Sequence, residues 1–175
     1  MKRALFTLVT VAACFAGFVS VTYAQQLSVA VVPFANRSGQ PDSDALAKGL
    51  ADMLITDLSV SPEIRLIERE RLAAITAELK LGKSGMVDKK TAAKIGKLLG
   101  ADALLLGSMK SIAPNLRLDA RLVAVETGEV MATAKASGKL SEFFAVESRL
   151  AIELLKAFGA KLNPLQRLRI AKAPT

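Results

Sequence analysis

At 175 residues the chain can bury one proper core but not two, and Lys and Arg outnumber Asp and Glu by 24 to 16, a formal net charge of +8. Its 51% of hydrophobic residues is carried by Leu, Ala and Val, with only 5% aromatic. His and Trp are absent and Cys occurs once, which removes the usual neutral-pH base, the commonest metal ligand and every Ser-His or Cys-His nucleophile pair.

The chain opens with Met1-Lys2-Arg3, an apolar run from Ala4 to Val21, and Thr22-Tyr23-Ala24 ahead of Gln25. This is the pattern of a cleaved secretory signal over residues 1–24, with the cut between Ala24 and Gln25. An uncleaved anchor is an alternative, because the run approaches the ~18 residues of a spanning helix. Lipidation of Cys14, preceded by Val11-Ala12-Ala13, is another, although the apolar region before it is short and Phe15 to Val21 after it is still apolar. Removing Lys2 and Arg3 with the signal leaves 22 basic against 16 acidic residues, or +6. Such a balance suits an anionic partner, but without a block of like charges an ordinary solvated surface is the plainer reading.

Leu27 to Phe34, apolar at nearly every position, reads as a strand covered on both faces. Ala35 to Gln40 is a polar loop, and Asp42 or Ser43 caps a helix to about Ser59 with a stripe of Leu46, Leu50, Met53, Leu54 and Leu58. Ile64 to Ile67 is a second strand, parallel to the first by a right-handed crossover, and Glu68 to Leu79 a second helix. Asp88 starts a third helix with Ala92, Ile95, Leu98 and Leu99 inward, and Gly100 ends it. Ala103 to Gly107 is a doubly apolar strand that belongs beside the first.

From Leu116 to Val125 the period is two, with Arg117, Asp119 and Arg121 on a wet face. Its partner runs from Glu129 to Gly138. The register that keeps Lys135 out of the leucine face sets Asp119 opposite Lys135, Arg121 opposite Thr133, Leu118 opposite Ala136 and Val125 opposite Glu129. A long helix, Ser141 to Leu162, closes the domain and is stopped by Asn163-Pro164. Its apolar stripe is wide enough, through Phe144, Ile152 and Leu155, to suggest a second covered side against another subunit. The expected architecture is α/β: one domain over residues 25–165, a mixed five-stranded sheet in the order βαβααβββα with helices packed on it in two or three layers. A basic mobile tail follows over 166–175.

Six ordered blocks carry a resemblance: VAVVPFAN from Val29, GLADMLITDLS from Gly49, RLIERERLAAI from Arg65, SGMVD from Ser84, AAKIGKLLGADALLLGS from Ala92 and RLVAVETGEV from Arg121. Together they resemble the periplasmic domain of the curli-secretion (CsgG-like) family, with flagellar outer-membrane accessory and TolB N-terminal-like relatives. The resemblance implies a periplasmic, non-enzymatic, oligomeric part of an envelope machine with envelope proteins as partners, and peripheral contact with the outer membrane. The long hairpins that build a transmembrane barrel in the secretion channel have no counterpart here, so a pore is not implied.

The other motifs are weak. Ala77 to Ser84 ends in Gly-Lys-Ser but lacks the first glycine of a phosphate loop and leaves a helix, not a strand. Asn36-Arg37-Ser38 fits a glycosylation acceptor, which matters only in a eukaryotic route. Arg69 and Arg71, Arg117 and Arg121, and the helix flank of Phe144, Ile152 and Leu155 are the candidate contact residues. No catalytic residue, cofactor site or metal cluster is expected, and no nucleic-acid partner. The alternative function is a binding module for a small anionic or lipidic ligand.

Overall fold

The computed structural model describes residues 26–68 and 89–171. The signal with Cys14, Ala24 and Gln25, the second expected helix, Arg69, Arg71 and the Gly-Lys-Ser stretch lie outside the described residues.

The sheet is built on strand β1, Leu27–Val31, which pairs in parallel with β3, Ile64–Ile67, on one side and with β4, Ala103–Ile112, on the other. β5, Asn115–Ala124, and β6, Val130–Lys139, continue it as an antiparallel meander, giving the order β3-β1-β4-β5-β6. Among the described residues the sheet has six strands, one more than the expected five. The extra one, β2, Ala35–Asn36, lies in the segment expected to be loop, and it pairs with Ser108 and Met109 of β4. Pro33 has no N–H to donate, so the ladder of β1 breaks there and resumes at Ala35. β4 outruns its expected end at Gly107, because Met109 and Ser111 still turn inward and are buried.

Helices cover both faces. On one, α1, Ser43–Leu58, and α3, Phe143–Ala157, pack over Val29, Val31, Leu105, Leu118 and Leu122. On the other, α2, Lys89–Leu99, lays Ile95 and Leu99 on Ala30, Leu104, Leu106, Val123 and Val125. The expected stripes shift slightly: Leu46 and Leu98 are exposed, and Ala47 and Ala51 take the inward positions on α1. Both α2 and α3 end in a Schellman motif with a left-handed glycine. Ala101 N–H bonds the carbonyl of Gly96 and Gly100 N–H that of Lys97; Ala160 and Gly159 do the same to Leu155 and Lys156.

That stop at Gly159 shortens the last expected helix and changes the reading of the segment after it. Asn163-Pro164 does not end a helix but begins one, α4, Pro164–Ala171. Asn163 Oδ1 accepts from Gln166 N–H at 2.9 Å, and Gln166 Oε1 accepts from Asn163 N–H at 2.8 Å, a reciprocal cap with Pro at the first helical position. Gln166 Nε2 donates to the carbonyl of Val60, and Ser148 Oγ to that of Ile170, whose side chain is buried. Residues 166–171 are therefore docked, where a mobile tail was expected.

The β5–β6 register is the expected one over most of its length: Asp119 faces Lys135, Arg121 faces Thr133 and Leu118 faces Ala136. It departs at the turn. Met131 is an extra residue that brings Val123 opposite Val130, so Val125 does not face Glu129. Val125 instead bonds the carbonyl of Asp102 and fills the space over Gly96.

Candidate functional site

Alternation along β4, β5 and β6 sends every second side chain away from the main core, and α2 covers only the part of that second face near β1. The remainder carries no helix among the described residues. Across its ladder lie the rows Lys110–Arg117–Ser137, Ser108–Asp119–Lys135 and Leu106–Arg121–Thr133, with Lys139 beside Asn115 at one end. Arg37, just past β2, is tied in by its N–H to the carbonyl of Met109 at 2.7 Å. Arg37, Lys110, Arg117, Arg121, Lys135 and Lys139 are all exposed.

Asp119 is the acid within these rows, and Glu153 of α3 and Glu142 flank the same surface. Asp119 accepts from Arg117 Nε–H at 2.8 Å through Oδ2 and from Nη2–H at 2.7 Å through Oδ1, a bidentate pair. That hydrogen bonding, with the added charges of Arg117, Lys135 and Arg37, holds its carboxyl below the usual range against a smaller opposing effect of burial. Among the described residues, none of Arg37, Lys110, Arg121, Lys135 and Lys139 has a carboxylate within ion-pair distance. A shallow depression of about 940 Å³ runs over Arg37, Gly107, Arg121 and Lys135, and a second of about 600 Å³ adjoins it at Lys110, Ile112 and Lys139. The face offers donors and positive charge to a bound anion.

The sequence-derived contact residues divide. Arg117 and Arg121 share this face. Phe144 is exposed on α3, its ring set edge-on to Phe143 with centroids 5.8 Å apart, and Ile152 is partly buried against the core. Leu155 is fully buried, which corrects its place in a subunit contact. The wide stripe of α3 is used within the chain, because the sheet, α1 and α4 cover it from different sides.

A carboxyl pair was missed. Glu147, on α3, is buried and shares a hydrogen bond with Asp57 near the end of α1. Burial first, then the Asp57 charge, pushes Glu147 up to about 8; Asp57, half-buried, is also raised, by burial. Glu147 Oε1 has no hydrogen-bond partner among the described residues, as suits a neutral carboxyl. The sequence did hold a signal, since Glu147 falls between Phe143 and Leu150 on the apolar stripe. No cluster of three or more His, Cys, Asp or Glu fit to hold a metal occurs among the described residues.

The fold recurs in solved structures. The LpoB C-terminal domain from Salmonella enterica superposes with a TM-score of 0.55 at 20% identity, over 68% of this chain and 87% of that one. TolB from Acinetobacter baumannii gives 0.53 at 16% identity, over 77% of this chain and 28% of that one. At such identities these likenesses show the fold alone. A protein named adenylate cyclase 3 in Rhizobium meliloti (strain 1021) is 29% identical over 136 residues, 78% of this chain. The match spans only 22% of that protein's length. Residues 15–115, more than half of the chain, match the family model described as curli production assembly/transport component CsgG, and the chain belongs to that family.

Proposed function

We propose that this chain is a non-enzymatic assembly or scaffold domain of the bacterial cell envelope, exported to the periplasm and working by docking. Membership of the CsgG family carries the reading. The open cationic face supports it, because a three-stranded surface whose Arg121, Lys110 and Lys135 have no ion-pair partner among the described residues is fitted to contact. Among the described residues no helix is long and apolar enough to cross a membrane. The long alternating strands β4 to β6 are all used in the one sheet, which supports a domain without a pore of its own. The named cyclase activity of the Rhizobium relative belongs to a protein of which this chain matches about a fifth, and the reading does not extend it here.

The test is cell fractionation of the chain expressed from its own promoter, joined to its mass in solution by light scattering. Recovery with the periplasm or outer membrane as a discrete oligomer, weakened by Phe144→Glu on the exposed flank of α3, agrees with self-assembly. Recovery in the cytoplasm overturns the reading. A monomer from the periplasm favours the alternative, a binding module for a small anionic or lipidic ligand, for which the depression over Arg37, Arg121 and Lys135 is the place to look.

A further inference from the structure

We propose that the open face of β4–β6 seats this domain on an anionic phospholipid surface, with its Arg and Lys side chains among the headgroup phosphates. The inference rests on the envelope reading only for where such a surface is met.

Three features of the face favour this partner. Lys110 stands directly opposite Arg117 in the ladder, and since Asp119 compensates only Arg117, Lys110 keeps its charge for an outside anion. The cations are spread and do not converge: Arg117 and Arg121 lie two rows apart on β5, roughly 13 Å along the strand. A single small anion cannot reach both, whereas a plane of headgroups presents charge at every position. The third feature is apolar. Ile112 at one end of the face is 58% exposed, and Val130 and Met131 at the other are 54% and 53% exposed. An acidic peptide or free phosphate leaves these side chains in water. The boundary between headgroups and acyl chains buries them while the cations between remain at phosphate depth. Asp119, in the middle row, is held by Arg117 and takes up a charge that would otherwise add to the attraction, while Glu142 and Glu153 stand at the margin of the face.

The experiment is flotation of the full chain with phosphatidylcholine vesicles, with and without phosphatidylglycerol. Binding by the apolar residues 4–21 is common to both compositions, so the ratio of the two partition coefficients reads the electrostatic part. Each cation at an anionic surface contributes roughly fivefold, so Lys110→Gln/Arg121→Gln/Lys135→Gln should lower that ratio about a hundredfold. Asp119→Asn should raise it about fivefold, and added salt should weaken it. A control triple of equal net charge on the opposite side, Lys48→Gln/Lys161→Gln/Arg167→Gln, should stay within a few-fold of the wild type. Unchanged thermal melts of each variant keep the comparison to folded protein.

Equal partition into both vesicle types overturns the proposal. So does a control triple that loses as much as the face triple, because net charge and not this surface would then be responsible. Tight binding of soluble polyglutamate that prevents flotation also overturns it, by identifying an acidic polypeptide as the partner. Failure on any of these counts leaves the fractionation and mass results untouched, so the docking surface and the envelope role fall separately.

Discussion

Replacing Glu147 by Gln should stabilise the protein above neutral pH, although it alters a fully buried side chain. In the folded chain Glu147 takes its proton at about 8, against 4.5 for an ordinary Glu. A raised folded value means that the folded state holds a proton the unfolded chain has released throughout that interval. Stability is then greatest below the unfolded value and is lost as pH rises through the folded one, by about 1.4 kcal/mol per pH unit. Across the whole window this amounts to on the order of 5 kcal/mol. Asp57, also raised, adds in the same direction. The amide introduced by Glu147→Gln would keep the shape, donate an N–H to Asp57 in place of the carboxyl proton, and have nothing to ionise. Urea unfolding at pH 5, 6, 7 and 8 should therefore give a steep loss of stability with pH in the wild type and a nearly flat profile in Glu147→Gln. The variant should be equal to the wild type within about 1 kcal/mol at the acid end and more stable by ~2–4 kcal/mol at the basic end. An unchanged pH slope, or a variant less stable at pH 8, would refute the reasoning.

Gly96→Ala should destabilise by ~1–3 kcal/mol in thermal melts, because the new Cβ would fall well inside van der Waals contact with both γ-methyl groups of Val125. A gain of about 1 kcal/mol, the ordinary helix-propensity effect, would show that α2 does not press on Val125. Asp102→Ala removes an acceptor that takes Ser28 N–H at 2.8 Å and Ser28 Oγ–H at 2.7 Å, and should cost ~1–2 kcal/mol at neutral pH. Those hydrogen bonds lower the Asp102 value from 3.8, so the loss should vanish as pH falls through the folded value; a cost that persists in acid would point to packing instead. Leu155→Glu should abolish the cooperative melt, not merely dissociate subunits, because a charge placed there has no partner in the core. A folded, monomeric Leu155→Glu protein would contradict the burial of that side chain.

The strands and their face assignments were readable because period-two alternation is a local property: Leu116, Leu118 and Leu122 against Arg117, Asp119 and Arg121 fix both register and wet side. Register then carried Lys135 to the candidate face without any structure. Lys110 was not legible, since Ser108-Met109-Lys110-Ser111-Ile112 is too polar to announce a strand, and only pairing with β5 aligns it with Arg117. Helix ends were misread where one residue serves two purposes. Asn163-Pro164 can terminate a helix or cap the next, and Gln166 three residues on was the deciding letter. Leu155 failed for another reason: a wide apolar stripe says how much of a helix is covered, not whether the cover comes from its own chain. Here α1 and α4 supply it.

The placement of β1 also bears on the order in which the molecule assembles. β4, β5 and β6 follow one another through short turns, so their pairings close small loops, whereas Ser28 must meet Asp102 across 74 residues. Loop-closure entropy delays such distant contacts, which makes the meander the early kinetic unit and the insertion of β1 between β3 and β4 a late event. An interior strand of the finished sheet is thus the last to be held. Weakening its seam should speed unfolding while leaving the folding rate nearly unchanged, and until it is seated the flank of β4 stays open to pairing with another chain.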